Sequence, residues 1–232
     1  MSEIDIELEY KKRLINLFSS FKLKKRNDLM LRVLSQRTRY ITVGLENIYQ
    51  PHNASAVLRS CDCFGIQDVH IIENSYRYEV NPHVSLGAAQ WLNLNLYNET
   101  DNNTASCISK LKSKGYRSVA TSPSAEAVSV YNFDIKKGPF CLLFGTEKFG
   151  LSDEAFSAAD ELVSIPMYGF TESFNISVSA SLCLFHFTER LRKENVSWQL
   201  SEYEQSDILL QWYRNTIPQS DAIESQFVRD NQ

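Results

Sequence analysis

Glycine is scarce in this chain: eight residues in 232, no two of them separated by a single position. That excludes both a dinucleotide-binding G-x-G-x-x-G turn and a phosphate-cradling P-loop. Histidine is scarcer, and His52, His70, His83 and His186 show no H-x-x-x-H spacing, so no metal-hydrolase centre is expected. No Gly-x-Ser-x-Gly nucleophile elbow occurs either. No apolar run approaches the ~18 residues that read as a membrane span. The acidic start, Met1-Ser-Glu-Ile-Asp-Ile-Glu7, lacks the basic-then-apolar order of a signal peptide. The five cysteines are odd in number and scattered; only Cys61 and Cys63 are close, and no second pair follows at ligand spacing. They read as reduced thiols of a cytoplasmic protein, with no zinc site.

What is present is the composition of a soluble protein with one sizeable core: 43% hydrophobic and 22% charged residues. The net charge of -4 conceals an asymmetry. Residues 11–40 hold ten Lys or Arg against one acid, Asp28, whereas residues 194–232 hold two against seven. A basic arm on an acidic body is the footprint of a polyanion-binding protein, and on charge alone it is equally that of a solvated helix face.

Residues 3–37 carry a helical stripe (Ile6, Leu14, Leu17, Phe18), with Lys22–Arg26 as a basic connector and Asn27-Asp28 placed to cap a second segment, 29–35. Strand-like runs follow at 40–45, 69–72, 91–97, 116–121, 138–144 and 162–167. Between them lie helical stretches opened by Pro51 and Asn53, striped by Ala105, Ile108 and Leu111, and capped by Ser152. From 176 onwards two periods compete. Ile176, Val178, Ala180, Leu182 and Leu184 alternate like a strand, but Ile176, Ala180, Leu184, Phe187 and Leu191 keep helical spacing and run into Arg190, Arg192 and Lys193, which suit a helix C-terminus. The spacing predicts a helix. Ser201-Glu-Tyr-Glu204 is a capping box ahead of Ile208, Leu209, Trp212 and Tyr213. Strands alternating with helices make the class α/β with a largely parallel sheet. The expected organisation is a basic helical extension at 1–39, one domain at 40–193, and an acidic helical extension at 194–232.

Three stretches carry a family resemblance. Pro51-His-Asn-Ala-Ser-Ala-Val-Leu-Arg59 with Phe64-Gly65, then Leu143-Phe-Gly-Thr-Glu-Lys-Phe-Gly-Leu-Ser152, then Ile165-Pro-Met-Tyr-Gly-Phe-Thr-Glu-Ser-Phe-Asn-Ile-Ser177 resemble, in order and at compatible spacing, the three motifs of the SpoU/TrmH family of RNA ribose 2′-O-methyltransferases. The resemblance spans residues 40–192. It implies the SPOUT fold with a C-terminal deep trefoil knot, a homodimer, S-adenosylmethionine as cofactor and no metal. Matched position by position, it implies cofactor contacts at Thr121, Gly145, Ile165 and Phe174. It implies catalytic roles for Arg59, Asn53, Glu147, Ser173 and Asn175, with Arg59 as either proton acceptor or activating charge. Phe174 stands where many relatives have leucine, and Glu172 where the tRNA branch often has an amide. The short extensions resemble that branch, which methylates the D-loop guanosine at position 18. Lys24, Lys25, Arg26, Arg37 and Arg39 are then the expected grip on tRNA phosphates. The alternatives are a ribosomal-RNA ribose methyltransferase and a catalytically idle RNA-binding protein on the same fold.

Overall fold

Phe140-Cys-Leu-Leu-Phe144 explains the layering of this protein. All five residues are buried, so neither face of their strand meets water. Phe140, Leu142 and Phe144 point into one apolar cluster and Cys141 and Leu143 into another, the period-two alternation of a strand sandwiched between helices. The computed structural model describes residues 3–75 and 87–230. The chain divides into two units, Thr38–Trp198 and a second that combines Met1–Arg37 with Gln199–Gln232.

In the Thr38–Trp198 unit the elements run β1 (Ile41–Glu46), α3 (Pro51–Phe64), β2 (Asp68–Ile72), a short 3-10 turn (Ala88–Trp91), β3 (Asn93–Tyr97), α4 (Asn103–Ser113), β4 (Arg117–Thr121), β5 (Val128–Ser129), β6 (Phe140–Phe144), α5 (Asp153–Ala158), β7 (Glu161–Ser164) and α6 (Ile176–Lys193). α1 (Glu3–Ser20) and α2 (Lys24–Leu34) precede them in the chain. The seven strands form one sheet in the order β3-β2-β1-β6-β4-β7-β5, and every pairing is parallel. α3 and α6 cover the Phe140–Leu142–Phe144 face, and α4 and α5 cover the other. The helical reading of 176–193 holds, and the serines explain the competing pattern. Ser181 Oγ donates to Ser177 O at 2.8 Å and lies 2.8 Å from Ser60 Oγ, so small polar residues set the close approach of α6 to α3.

Some boundaries move. Trp91 belongs to the 3-10 turn rather than to β3. β7 ends at Ser164 rather than Met167, because Pro166 has no N–H to continue the ladder. β5, two residues paired to β7, carries too little pattern to be predicted. Pro82 and His83 lie outside the described residues. Gly65 and Gly115 end their helices with φ of 79° and 81°, the left-handed conformation that favours glycine.

The terminal segments combine into one unit instead of flanking the domain separately. It holds α1 (Glu3–Ser20), α2 (Lys24–Leu34), α7 (Glu202–Thr216) and α8 (Ser220–Asp230). Trp212 and Tyr213, each 1% exposed, pack inside it, Tyr213 against Phe18 with ring centroids 6.0 Å apart. α2 begins at Lys24, five residues before the expected Leu29. Asn27 does not cap it but ties three helices together: Nδ2 donates to Ser19 O at 2.8 Å, and Oδ1 accepts from Tyr213 Oη at 3.1 Å. The capping box at Ser201 and Glu204 forms as predicted. Among the described residues no helix is long and apolar enough to cross a membrane.

His70, on β2, is buried beside Tyr97, its Nδ1 lying 3.2 Å from Tyr97 Oη. Burial pushes its pKa down to about 4. An imidazole kept neutral in the fold but free to protonate near pH 6.5 once unfolded contributes stability above that pH. The contribution is lost as pH falls toward 4. Between pH 7 and pH 5 urea unfolding is expected to show a loss of about 2 kcal/mol that the variant His70→Gln does not share.

Candidate active site

The carboxyl ends of β4, β6 and β7 open onto one cleft of about 470 Å³. Open parallel sheets hold ligands at these ends, and the volume suits a nucleoside-sized molecule. Thr121 closes β4 and lines the cleft, its Oγ1 donating to Leu143 O at 2.8 Å, so the hydroxyl proton is committed to the sheet. Gly145 follows β6, and Ile165 follows β7. Ser173 and Phe174 come from the loop that leads into α6. These residues line the cleft with Glu147 and Glu172, and Val163, Leu151 and Ile176 add apolar surface. All four expected cofactor positions therefore share one wall-to-wall space.

Gly145 is required by close approach. A Cβ there would lie 2.0 Å from the carbonyl carbon of Gly150 and 2.2 Å from Leu151 N. The loop folds back on itself, with Thr146 N donating to Gly150 O at 2.8 Å and Gly150 N to Thr146 O at 2.9 Å. That fold presents Glu147 to two asparagines. Asn53 Nδ2, on the first turn of α3, donates to Glu147 Oε1 at 2.8 Å; Asn175 Nδ2 donates to the same oxygen and, at 3.2 Å, to Asn53 Oδ1. Asn175 also caps α6, Oδ1 accepting from Ser177 N at 2.8 Å. One residue from each of the three stretches thus meets at the cleft's edge, a junction that no spacing within the chain foretells.

Residues 40–185 match the SpoU rRNA Methylase family. The chain belongs to this family. A protein of Borreliella burgdorferi named tRNA (guanosine(18)-2′-O)-methyltransferase is 40% identical over 211 residues, covering 91% of this chain and 94% of its own length. The protein of that name from Aquifex aeolicus is 31% identical over 200 residues, covering 84% and 92%. The solved A. aeolicus TrmH/SpoU tRNA modifying enzyme superposes with a TM-score of 0.72 at 30% identity, covering 84% of this chain and 98% of that one. The fold alone extends further, to AviRb from Streptomyces viridochromogenes in complex with AdoMet, at TM-score 0.57, 21% identity, and coverage of 71% and 63%.

Within this SpoU-family chain the remaining expected residues divide. Arg59 is exposed on α3 and is not among the residues lining the cleft. It lies one position, about 100° of helix, from Ser60, which faces α6. Lys24, Lys25 and Arg26 are exposed on the first turn of α2, as a phosphate grip requires. Arg37 and Arg39 do not fit that expectation. Arg37 is 1% exposed, its guanidinium 5.4 Å from the Trp212 ring. Arg39 is bound through Nε to Asp68 Oδ2 at 2.9 Å. Charge counting along a chain cannot separate a cation that packs from one that faces solvent. Thr146, Phe149 and Met167 also line the cleft. They sit inside the stretches that carry the resemblance, and their proximity to expected residues is the signal that could have included them.

Proposed function

We propose that this chain transfers a methyl group from S-adenosylmethionine to a ribose 2′-hydroxyl of tRNA, its target the D-loop guanosine at position 18. The observation that carries the reading is the extent of similarity to the B. burgdorferi protein, which runs well past the sheet unit into the terminal helices. The ribosomal-RNA reading is weaker, because the 23S rRNA methyltransferase RlmB of Shewanella oneidensis is matched over 64% of this chain and 58% of its own length.

The cleft fits the cofactor by its own chemistry. S-adenosylmethionine has no phosphate, and the cleft has no glycine-rich phosphate cradle. Strand-end backbone at Gly145 and Thr121 can read an adenine edge, Ile165 and Phe174 can cover the ring, and Glu147 and Glu172 offset a sulfonium charge. When bound there, the cofactor supplies an electrophilic methyl. The protein is left to align the hydroxyl and to ease departure of its proton. Ser173 stands at the cleft as the hydroxyl's partner, and Glu147 holds Asn53 and Asn175 in place beside it.

Arg59 completes the set from outside the cleft of its own chain. α6 supports delivery by a second copy, because Val178, Leu182 and Phe185, spaced at one helical face, are 43%, 40% and 58% exposed. A homodimer covering that stripe brings the adjacent helix α3, and with it Arg59, to the partner. Family membership likewise implies the trefoil knot in the segment that carries β6, β7 and α6.

Incubation with methyl-labelled S-adenosylmethionine and unmodified tRNA, followed by mapping of the label, tests the reading. Methyl on the ribose of guanosine 18 is expected, and no ribose methyl at micromolar protein would overturn it. Changing Lys24, Lys25 and Arg26 together to alanine is expected to raise KM for tRNA with kcat retained. The slope of log affinity against log salt should become shallower by about 2–3, one for each phosphate that no longer meets a cation.

A further inference from the structure

We propose that Glu46 is a positioning residue for methyl transfer: from the end of β1 it fixes where the Gly145–Leu151 loop stands over the cleft. The inference rests on reading that cleft as the S-adenosylmethionine site.

Glu46 is 2% exposed, and carboxylates are rarely buried so deeply without a task. Among the described residues it has no cationic partner. Its bonds go instead to one place in the chain and one brace. Oε2 accepts the backbone N–H of Ser152 at 2.8 Å, and Oε1 accepts the Ser152 hydroxyl at 2.7 Å. Oε1 also accepts the hydroxyl of Thr104, on α4, at 2.5 Å. Thr104 in turn accepts from Asn74 Nδ2 at 2.7 Å, so the carboxylate is held from both sides.

Ser152 is where the loop ends and α5 begins. Within the loop the bonds run between Thr146 and Gly150, with Phe149 N donating to Thr146 Oγ1 at 3.0 Å, and beyond it Glu147 accepts from Asn53 and Asn175. The loop is fixed at one end by β6 and at the other by the buried Leu151 and the Glu46–Ser152 joint. Between these ends Gly145 and Glu147 face Asn53 and Asn175, which are carried by α3 and α6. Releasing the joint therefore misplaces the loop relative to both asparagines while the sheet stays intact.

The test compares Glu46→Ala, Glu46→Gln and Thr104→Val by melting temperature, S-adenosylmethionine affinity by calorimetry, and kcat and KM for tRNA. Glu46→Ala is expected to weaken cofactor binding by about tenfold or more and to lower kcat. Glu46→Gln, whose carbonyl can turn to accept the Ser152 N–H, should recover affinity to within about threefold. Thr104→Val removes the brace but leaves the Ser152 bonds; it should lower the melting temperature with affinity kept within about twofold. Should Glu46→Ala fail to fold, Ser152→Ala takes its place; it removes the hydroxyl bond but keeps the backbone N–H to Oε2, so a smaller weakening of about three- to fivefold is expected. Equal weakening by the alanine and valine variants, or none by either, would overturn the positioning role. Absence of cofactor binding by the unaltered chain would instead overturn the reading of the cleft, so the two failures are distinct.

Discussion

Arg59→Ala is expected to cut methyl transfer by about 10³–10⁴-fold, with S-adenosylmethionine affinity kept within about twofold of the unaltered chain. The two effects separate because Arg59 does not line the cleft that holds the four expected cofactor positions. Arg59 is also exposed, so truncating it leaves no buried group unsatisfied and should not lower stability. A guanidinium is almost never deprotonated on its own. On the proposed reading it acts either by lowering the pKa of the 2′-hydroxyl as a nearby positive charge, or as an acceptor once an RNA phosphate shares its proton. Arg59→Lys distinguishes these, since lysine keeps the charge but loses the planar fork that holds phosphate. In the homodimer proposed above, the arginine reaches the cleft of a second copy. Mixing Arg59→Ala chains with chains defective in cofactor binding should restore about a quarter of the activity, because half the dimers are mixed and each has one complete site. No recovery in refolded mixtures would place Arg59 elsewhere.

How much of this is open to a reader of residues alone differs by element. The burial of residues 140–144 and the caps at Ser152, Asn175 and Ser201 follow from local chemistry, and the structure keeps them. α6 is decided by length and by its basic end, since its serines mimic strand alternation until their role against α3 is seen. α8 escapes because Ser220–Asp230 is mostly polar and only its neighbours within the terminal unit justify it. The site is legible in a different sense. Asn53, Glu147 and Asn175 are far apart in the chain, and nothing in spacing or composition brings them together; the family resemblance does. Arg37 shows the opposite failure, a charge in a basic run that the fold turns inward against Trp212. Glu46 gives no sign of itself at the end of a strand, because its meaning depends on Ser152, far along the chain, returning to it.

Gly145→Ala is expected to weaken S-adenosylmethionine binding by about 10²-fold and to lower the melting temperature by about 3–10 °C. The cause is local and needs no assumption about the cofactor's pose. The added methyl would stand 2.0 Å from both the carbonyl carbon and oxygen of Gly150, and 2.2 Å from the nitrogen of Leu151. All three are backbone atoms, which cannot swing aside as a side chain can. The turn must therefore open, breaking the paired bonds between Thr146 and Gly150 and carrying Glu147 away from Asn53 and Asn175. Leu151, 5% exposed in the cluster beneath α4 and α5, would be pulled from its place, which is where the destabilisation arises. Gly169→Ala is the matched control. Its added methyl meets nothing within 4 Å, and it too lies on a cleft-side loop. It is expected to change melting by less than about 1–2 °C and to leave binding unaltered. Calorimetry and melting on the two variants separate crowding at one loop from a general intolerance of alanine around the cleft. A Gly145→Ala chain that bound the cofactor as the unaltered protein does would show that the Gly145–Gly150 turn is not the wall against which the ligand rests.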